Sequence, residues 1–284
     1  MRVKCKPCYH GVEDIEMKYV FCLILSVLLM ADVSYARSRK QNEKWRLVFR
    51  DEFNQKDGSR PDTTKWVTSK RYATGWPRWV SNSRHVIFIK KGQLVCRALA
   101  NNGLEADTAR ALTSAIETSG KFSFQYGKVE VRMKTNNLRG NLSAVWMKPA
   151  IDYPKIYGEI DIAETFGNMG VVQQTVHGQQ TVVLKKVTAQ NAFRTTLPVE
   201  KWHIYGVEWS PDKIIYTVDG KVSAVYRKSN DKQDLAEGQW TFDRPFFLIL
   251  SQSLGEGVYE CLTPDLNNIF EMRIDWIRVY QKAE

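Results

Sequence analysis

From Gly158 to Gly167 the chain reads Gly-Glu-Ile-Asp-Ile-Ala-Glu-Thr-Phe-Gly, with three carboxylates inside six residues and apolar, mostly β-branched residues between them. Ile160 and Ile162 read as strand residues facing a core, so the period of two puts Glu159 and Asp161 together on the opposite face. Unbroken alternation would then turn Glu164 into the core, where an ionised carboxylate does not stay unpaired. A β-bulge near Ala163, one extra residue that re-aims Glu164 beside its neighbours, removes the conflict. The stretch therefore asks for a sheet with one buried face and one open face, the open face carrying three carboxylates in a row.

The remainder of the chain supplies such sheets. Lys128 to Lys134 alternates cleanly, with Val129, Val131 and Met133 on one face. Ile214 to Val218 and Val222 to Tyr226 flank Asp219-Gly220, a two-residue hairpin signal. Phe246 to Leu250 is a buried-strand run, and Phe270 to Tyr280 is a strand of mixed pattern. No long stretch carries a helical period and no internal repeat is present, so many short strands predict an all-β sandwich. Gly255 to Asn268 and Asn101 to Thr108 read as rim loops, the kind of segment that sets which ligand fits.

Residues 17 to 36 read as a secretory signal peptide: a short basic start at Met17-Lys18, an apolar run from Val20 to Met30, then Ser34 and Ala36 at small-residue positions. That run is about half the twenty residues a membrane-spanning helix requires. The expected organisation is therefore a leader and signal peptide over 1–36, with Met17 as an alternative start. A charged linker covers 37–44 and one catalytic domain covers 45–284, secreted, periplasmic or at the cell surface. Cys5 and Cys8 form a lone C-x-x-C read as part of the leader. Cleavage would leave Cys96 and Cys261, a pair that an exported protein could join. The formal charge of +10 would suit nucleic acid, but the Lys and Arg residues are spread along strand faces and loops without a basic helix. Solubility or attraction to anionic glycans fits that distribution better.

Crowded carboxylates cannot all ionise freely, so their pKa values should separate. One ionised and one protonated carboxyl is the pair that glycoside hydrolysis uses, with retention of configuration at a separation of roughly 5 to 5.5 Å. An acidic solvated strand face and a calcium site are the alternatives that the residue types alone leave open.

The order Glu159-Ile160-Asp161-Ile162-Ala163-Glu164 resembles the E-x-D-x-x-E motif of glycoside hydrolase family 16, the family of laminarinases, mixed-linkage glucanases, agarases and carrageenases. The resemblance runs from about Trp45 to Gln281. It is carried also by Leu47 to Asn54 (L-V-F-R-D-E-F-N), Gly120 to Gly127, Val145-Trp146-Met147, Tyr205 to Asp212, and Asp275 to Gln281. It implies a β-jelly-roll sandwich, two curved antiparallel sheets with a substrate cleft across the concave one. It also implies Glu159 as nucleophile, Glu164 as general acid/base, and Asp161 between them, hydrogen-bonded to Glu159.

Sugar rings present flat C–H faces, so aromatic side chains near the motif are candidate platforms: Trp146, Tyr153, Trp76 and Trp79, with core packing as the alternative for each Trp. Trp202, Trp209 and Trp276 sit inside strand patterns and are assigned to the core. His177 resembles a family histidine on the leaving-group side, with a structural histidine as the alternative. Ser251 and Gln252 lie at a strand end that faces the cleft in the family. No cofactor is required. A structural calcium known in some members would draw on Glu52 and Asp275, helped by backbone carbonyls and water.

Three departures touch specificity. Gly140 to Trp146 lacks the first Trp and the Pro of the glucanase pattern, Tyr153 to Glu159 is one residue longer and has Tyr for Trp, and Trp76 to Ser81 lacks the N-E-L-Q segment of laminarinases. The resemblance thus carries the chemistry further than the substrate. The expected function is endo-acting, retaining hydrolysis of a β-linked polysaccharide, β-1,3- or mixed-linkage glucan first and a galactose-containing polymer second. A non-catalytic glycan-binding jelly roll is the reading from another class. The expected partner is the polysaccharide alone, met by a monomer with no nucleic acid and no membrane span.

Overall fold

The computed structural model describes residues 45–151, 156–255 and 263–283. In chain order the strands are β1 (Trp45–Asp51), β2 (Val67–Thr68), β3 (Ile87–Ile89), β4 (Leu94–Ala100), β5 (Ala111–Leu112), β6 (Ser114–Glu117), β7 (Gly127–Thr135) and β8 (Asn141–Pro149). They continue as β9 (Gly158–Phe166), β10 (Val171–Gly178), β11 (Ala192–Thr196), β12 (His203–Trp209), β13 (Lys213–Val218), β14 (Lys221–Arg227), β15 (Phe246–Leu254) and β16 (Phe270–Lys282). One sheet has the order β11-β10-β9-β8-β15-β6-β2, and the other the order β14-β13-β12-β7-β16-β4-β3, with β1 on β16 and β5 on β4. All the strand pairs recorded are antiparallel. The fold is the two-sheet sandwich expected from the strand pattern, and no helix among the described residues is long and apolar enough to cross a membrane.

The core fills the space between the sheets. Val129, Val131 and Met133 of β7 are fully buried and meet Ile160, Ile162, Ala163, Val145, Met147, Leu248 and Leu250 from the other sheet in one cluster. Alternation sends the remaining side chains of those strands outward. Asp219 and Gly220 both have positive φ, 50° and 75°, the conformation that a two-residue hairpin turn demands, and Val218 pairs with Lys221 across it. The mixed pattern of β16 has a local cause. Its register against β7 shifts between Ile274 and Trp276, so Asp275 is an inserted residue that changes which face follows.

That shift corrects part of the tryptophan assignment. Trp209 is in the core, edge-on to Phe124, Tyr126 and Phe246. Trp202 and Trp276 are only half-buried, and each is covered by cations, Arg132 and Lys134 over Trp202 and Arg278 over Trp276. Long charged side chains thus stand where a core would otherwise cover the rings.

Among the described residues, Leu47–Gln281 form one compact unit. The leader, the signal peptide and the linker lie outside the described residues, as do Tyr153 and Cys261. Cys96 is a buried free thiol whose pKa burial pushes up to about 12; it is a core residue of β4 and not one half of a disulfide.

Candidate active site

Strand β9 carries the bulge that its sequence demands. Ala144 opposite Glu164 and Val145 opposite Ala163 keep one register with β8, and Trp146 opposite Asp161 begins another. The same slip occurs against β10, where Gln173 faces Glu164 and Thr175 faces Asp161. Two consecutive residues, Ile162 and Ala163, therefore both point into the core with no exposure. Glu159, Asp161 and Glu164 consequently share the open face, and together they line a cleft of about 200 Å³. The other walls come from alternate residues of the flanking strands, Ala144, Trp146 and Lys148 of β8 and Ser251 and Ser253 of β15, with Trp76 above. A second hollow of about 390 Å³ shares Trp76, Lys148 and Tyr157 with the first and adds Lys70, Tyr72 and Glu117.

The three acids have different surroundings. Glu159 Oε2 accepts a hydrogen bond from the Tyr157 hydroxyl at 2.7 Å and lies 3.8 Å from the Lys148 ammonium. Asp161 is 1% exposed, and its Oδ2 has no hydrogen-bond partner. Burial first, then the charges of Glu164 and Glu159, raise its pKa well above the ordinary value, against the pull of Lys148. Glu164 is raised to about 8 by burial and by Glu159, while a hydrogen bond with Thr175 pulls the other way. At neutral pH Glu164 therefore holds its proton. His177 Nε2 lies 3.4 Å from Asp161 Oδ2 and 3.8 Å from Glu159 Oε1. Its pKa is lowered, because burial outweighs the neighbouring Glu159 charge, so the ring is neutral at neutral pH. The hydrogen bond expected between Asp161 and Glu159 is replaced by the closer approach of Asp161 to His177.

The other expected residues divide. Trp76 and Trp146 meet edge to face with centroids 5.2 Å apart, and the Trp146 indole N–H donates to Ser251 Oγ at 3.1 Å. Trp146 is 5% exposed, so the more open ring of the pair is Trp76. Trp79 is corrected. Its ring packs on the cluster of Ala98, Ala111, Leu254 and Phe270, with the Arg78 guanidinium 4.0 Å from its centroid, and it is not among the cleft-lining residues. Gln252 is corrected too. Strand alternation that sends Ser251 and Ser253 outward turns Gln252 inward, where it is fully buried. There it accepts from Ser143 Oγ at 2.7 Å and donates to Asn141 Oδ1 at 3.0 Å.

Glu52 and Asp275 do not fit a calcium ion. Glu52 receives two hydrogen bonds from Arg278, both at 2.9 Å, and Asp275 one from Arg132 at 2.6 Å. Each carboxylate is already matched by its own guanidinium, which a cation would have to displace. Among the described residues the one cluster of three or more metal-capable side chains is Glu159, Asp161 and His177.

Tyr157, Lys148, Ser253 and Thr175 are site residues that motif matching passed over. Tyr157 precedes Glu159 by two, Lys148 follows Trp146 by two, and Ser253 follows Ser251 by two, so the strand period was a usable signal for all three. Tyr157 is held from both sides, its N–H donating to Gln179 Oε1 and its carbonyl accepting from Thr241, each at 2.8 Å.

Comparison with known proteins supplies the context. The family described as glycosyl hydrolases family 16 matches residues 79–278. The chain is 32% identical over 243 residues to a keratan-sulfate endo-1,4-β-galactosidase of Sphingobacterium multivorum, covering 84% of this chain and 55% of that protein. It therefore spans little more than half the length of that relative. It is 30% identical over 285 residues to a β-glucanase of Rhodothermus marinus, covering 92% of this chain and 94% of that one. Among solved structures, the laminarinase from Rhodothermus marinus superposes with a TM-score of 0.73 at 27% identity, covering 85% of this chain and 99% of that one.

Proposed function

The chain belongs to glycosyl hydrolases family 16, and on that footing we propose that it is an endo-acting glycoside hydrolase of a β-linked polysaccharide. β-1,3- or mixed-linkage β-1,3-1,4-glucan is its leading substrate. The observation that carries the reading is the bulged strand β9, which sets three carboxylates on one open face and leaves Glu164 protonated at neutral pH beside Glu159.

The division of labour follows. Glu159 attacks the anomeric carbon while Glu164 gives its proton to the departing glycosidic oxygen, leaving a glycosyl-enzyme ester. Glu164, now a carboxylate, takes a proton from water, and that water displaces Glu159 by attacking the anomeric carbon from the opposite face, the one the departing oxygen left. Two inversions give net retention. The Tyr157 hydroxyl and the Lys148 ammonium orient the Glu159 carboxylate before attack. Asp161 sits between the two glutamates and acts on Glu159 through its charge and through His177, which approaches both acids, and Trp76 supplies the aromatic platform. The chemistry draws on carboxylates alone and requires no cofactor. The apolar run from Val20 to Met30 supports export, which would bring the enzyme to a polymer outside the cell.

A second reading has a specific observation behind it. The keratan-sulfate endo-1,4-β-galactosidase relative is 32% identical over 84% of this chain, and the aromatic departures before β9 set the sequence apart from the glucanase pattern. Product release from laminarin, mixed-linkage glucan, agarose, porphyran and a galactose-rich host glycan, analysed by mass and linkage, separates the two. Oligosaccharides from either glucan support the first reading, and products from galactose polymers alone support the second. Binding with no products from any of them would replace both by a glycan-binding role.

A further inference from the structure

We propose that Glu159, Asp161 and His177 bind a single divalent transition-metal ion of the zinc class in the floor of the cleft. Three donor atoms converge there, Glu159 Oε1, Asp161 Oδ2 and His177 Nε2, all within 4.8 Å of one another. The His177 edges are 3.4 Å to Asp161 and 3.8 Å to Glu159. A tetrahedral zinc ion with bonds of about 2.0–2.2 Å spans ligand edges of roughly 3.3–3.6 Å, so small side-chain movements complete the site. Two further features single out these atoms. Asp161 Oδ2 is buried without a hydrogen-bond partner, an orphan that a cation would satisfy. Glu159 is engaged through its other oxygen, Oε2, by Tyr157 and Lys148, which leaves Oε1 turned toward His177.

The donor set selects the metal. One imidazole with two carboxylates suits zinc, copper or nickel, whereas calcium asks for six to eight oxygens and magnesium for near-ideal octahedral oxygen. The fourth position opens into the cleft and would hold water. A bound ion occupies Glu159, so on the hydrolase reading given above it is a reversible inhibitor that competes with the glycan. The binding itself does not depend on that reading.

Co2+ serves as the spectroscopic probe, titrated into the full chain and then displaced with Zn2+. Cys5 and Cys8 offer a second place for either ion, but thiolate ligands announce themselves by charge-transfer absorption that an imidazole–carboxylate site lacks. The expected result is one equivalent of four-coordinate Co2+ with visible d–d absorption and no thiolate band, released by one equivalent of Zn2+. Asp161→Asn and His177→Gln should each weaken that component at least tenfold, with folding checked by circular dichroism, while Ser253→Ala on the same cleft leaves it unchanged. Absence of the component in the wild type, or its persistence in both folded variants, overturns the proposal. Zn2+ should also inhibit hydrolysis at the concentration that displaces Co2+. Variant-sensitive binding without inhibition would uphold the metal site and sink the assignment of Glu159 as nucleophile.

Discussion

Glu164 and Glu159 are the same residue type five positions apart, and on the proposed reading their surroundings give them opposite tasks. Glu164 is raised to about 8 by burial and by the charge of Glu159, so it is the acid at neutral pH. The acid form is lost as pH rises through that value, and kcat/KM should therefore fall on a basic limb near 8, read from initial rates on a soluble oligosaccharide. Glu164→Gln should lower turnover by about 10²–10⁴-fold, the usual worth of a positioned general acid/base, with binding retained. A variant within threefold of wild type would remove Glu164 from the chemistry. Tyr157 is tested separately. A hydrogen bond to a charged group is worth about 1.5–3 kcal/mol, so Tyr157→Phe should cost about ten- to a hundredfold in kcat with little change in KM. An equal loss in every parameter on heating-sensitive protein would instead mark it as a packing residue.

The bulge in β9 and the hairpin between β13 and β14 could be read from the sequence, because each resolves a local conflict. Glu164 could not be buried, and Asp219-Gly220 could not be strand. The same local logic assigned Val129, Val131 and Met133 to the core. It failed where the deciding partner is far away in sequence. Glu52 and Asp275 were expected as ligands from the family resemblance, yet Arg278 pairs with Glu52 from 226 residues away. Trp276 looked like core because the insertion of Asp275 shows only in the pairing with the distant strand β7, where the register shifts. Gln252 was assigned by likeness to a strand end, and simple alternation from Ser251 would have turned it inward. Packing around Gly158 gives the test at this scale. A Cβ there would lie 3.0 Å from Arg244 Nη2 and 3.3 Å from both Phe246 Cζ and Thr241 O, at the head of the catalytic strand. Gly158→Ala should therefore destabilise by about 1–3 kcal/mol, the usual cost of overpacking, and lower kcat by displacing Glu159. Unchanged melting with unchanged kcat would mean that Arg244 swings aside freely.

Over the whole molecule, the carboxylates whose pKa is displaced shift in two directions, and those two directions act oppositely on how stability depends on pH. Glu52, Asp62, Asp107, Glu237 and Glu271 are held below their ordinary range, Glu237 at about 2, chiefly by hydrogen bonds to basic or polar neighbours for all but the half-buried Glu271 and its arginines. A depressed carboxylate contributes stability present above its unfolded pKa and lost as pH falls through its folded one. Those groups make the fold weaken in acid. Glu164 and Asp161 work in the opposite sense, since both are raised. Below about 4.5, the ordinary value for Glu164, both states of the chain hold its proton. Between there and about 8 the folded state keeps a proton that the unfolded chain has released, so stability declines as pH rises through this window. The melting temperature should therefore peak on the acid side of neutrality and slope downward toward pH 8. Replacing Glu164 by Gln removes one titrating group from the cleft and should flatten that slope, leaving the variant more stable than wild type at pH 8 while nearly inactive. Parallel melting curves for the two proteins across pH 5–8 would show that the cleft carboxylates carry no such strain. A diverging pair would show that part of the molecule's stability at neutral pH is given up to keep an acid and a nucleophile side by side.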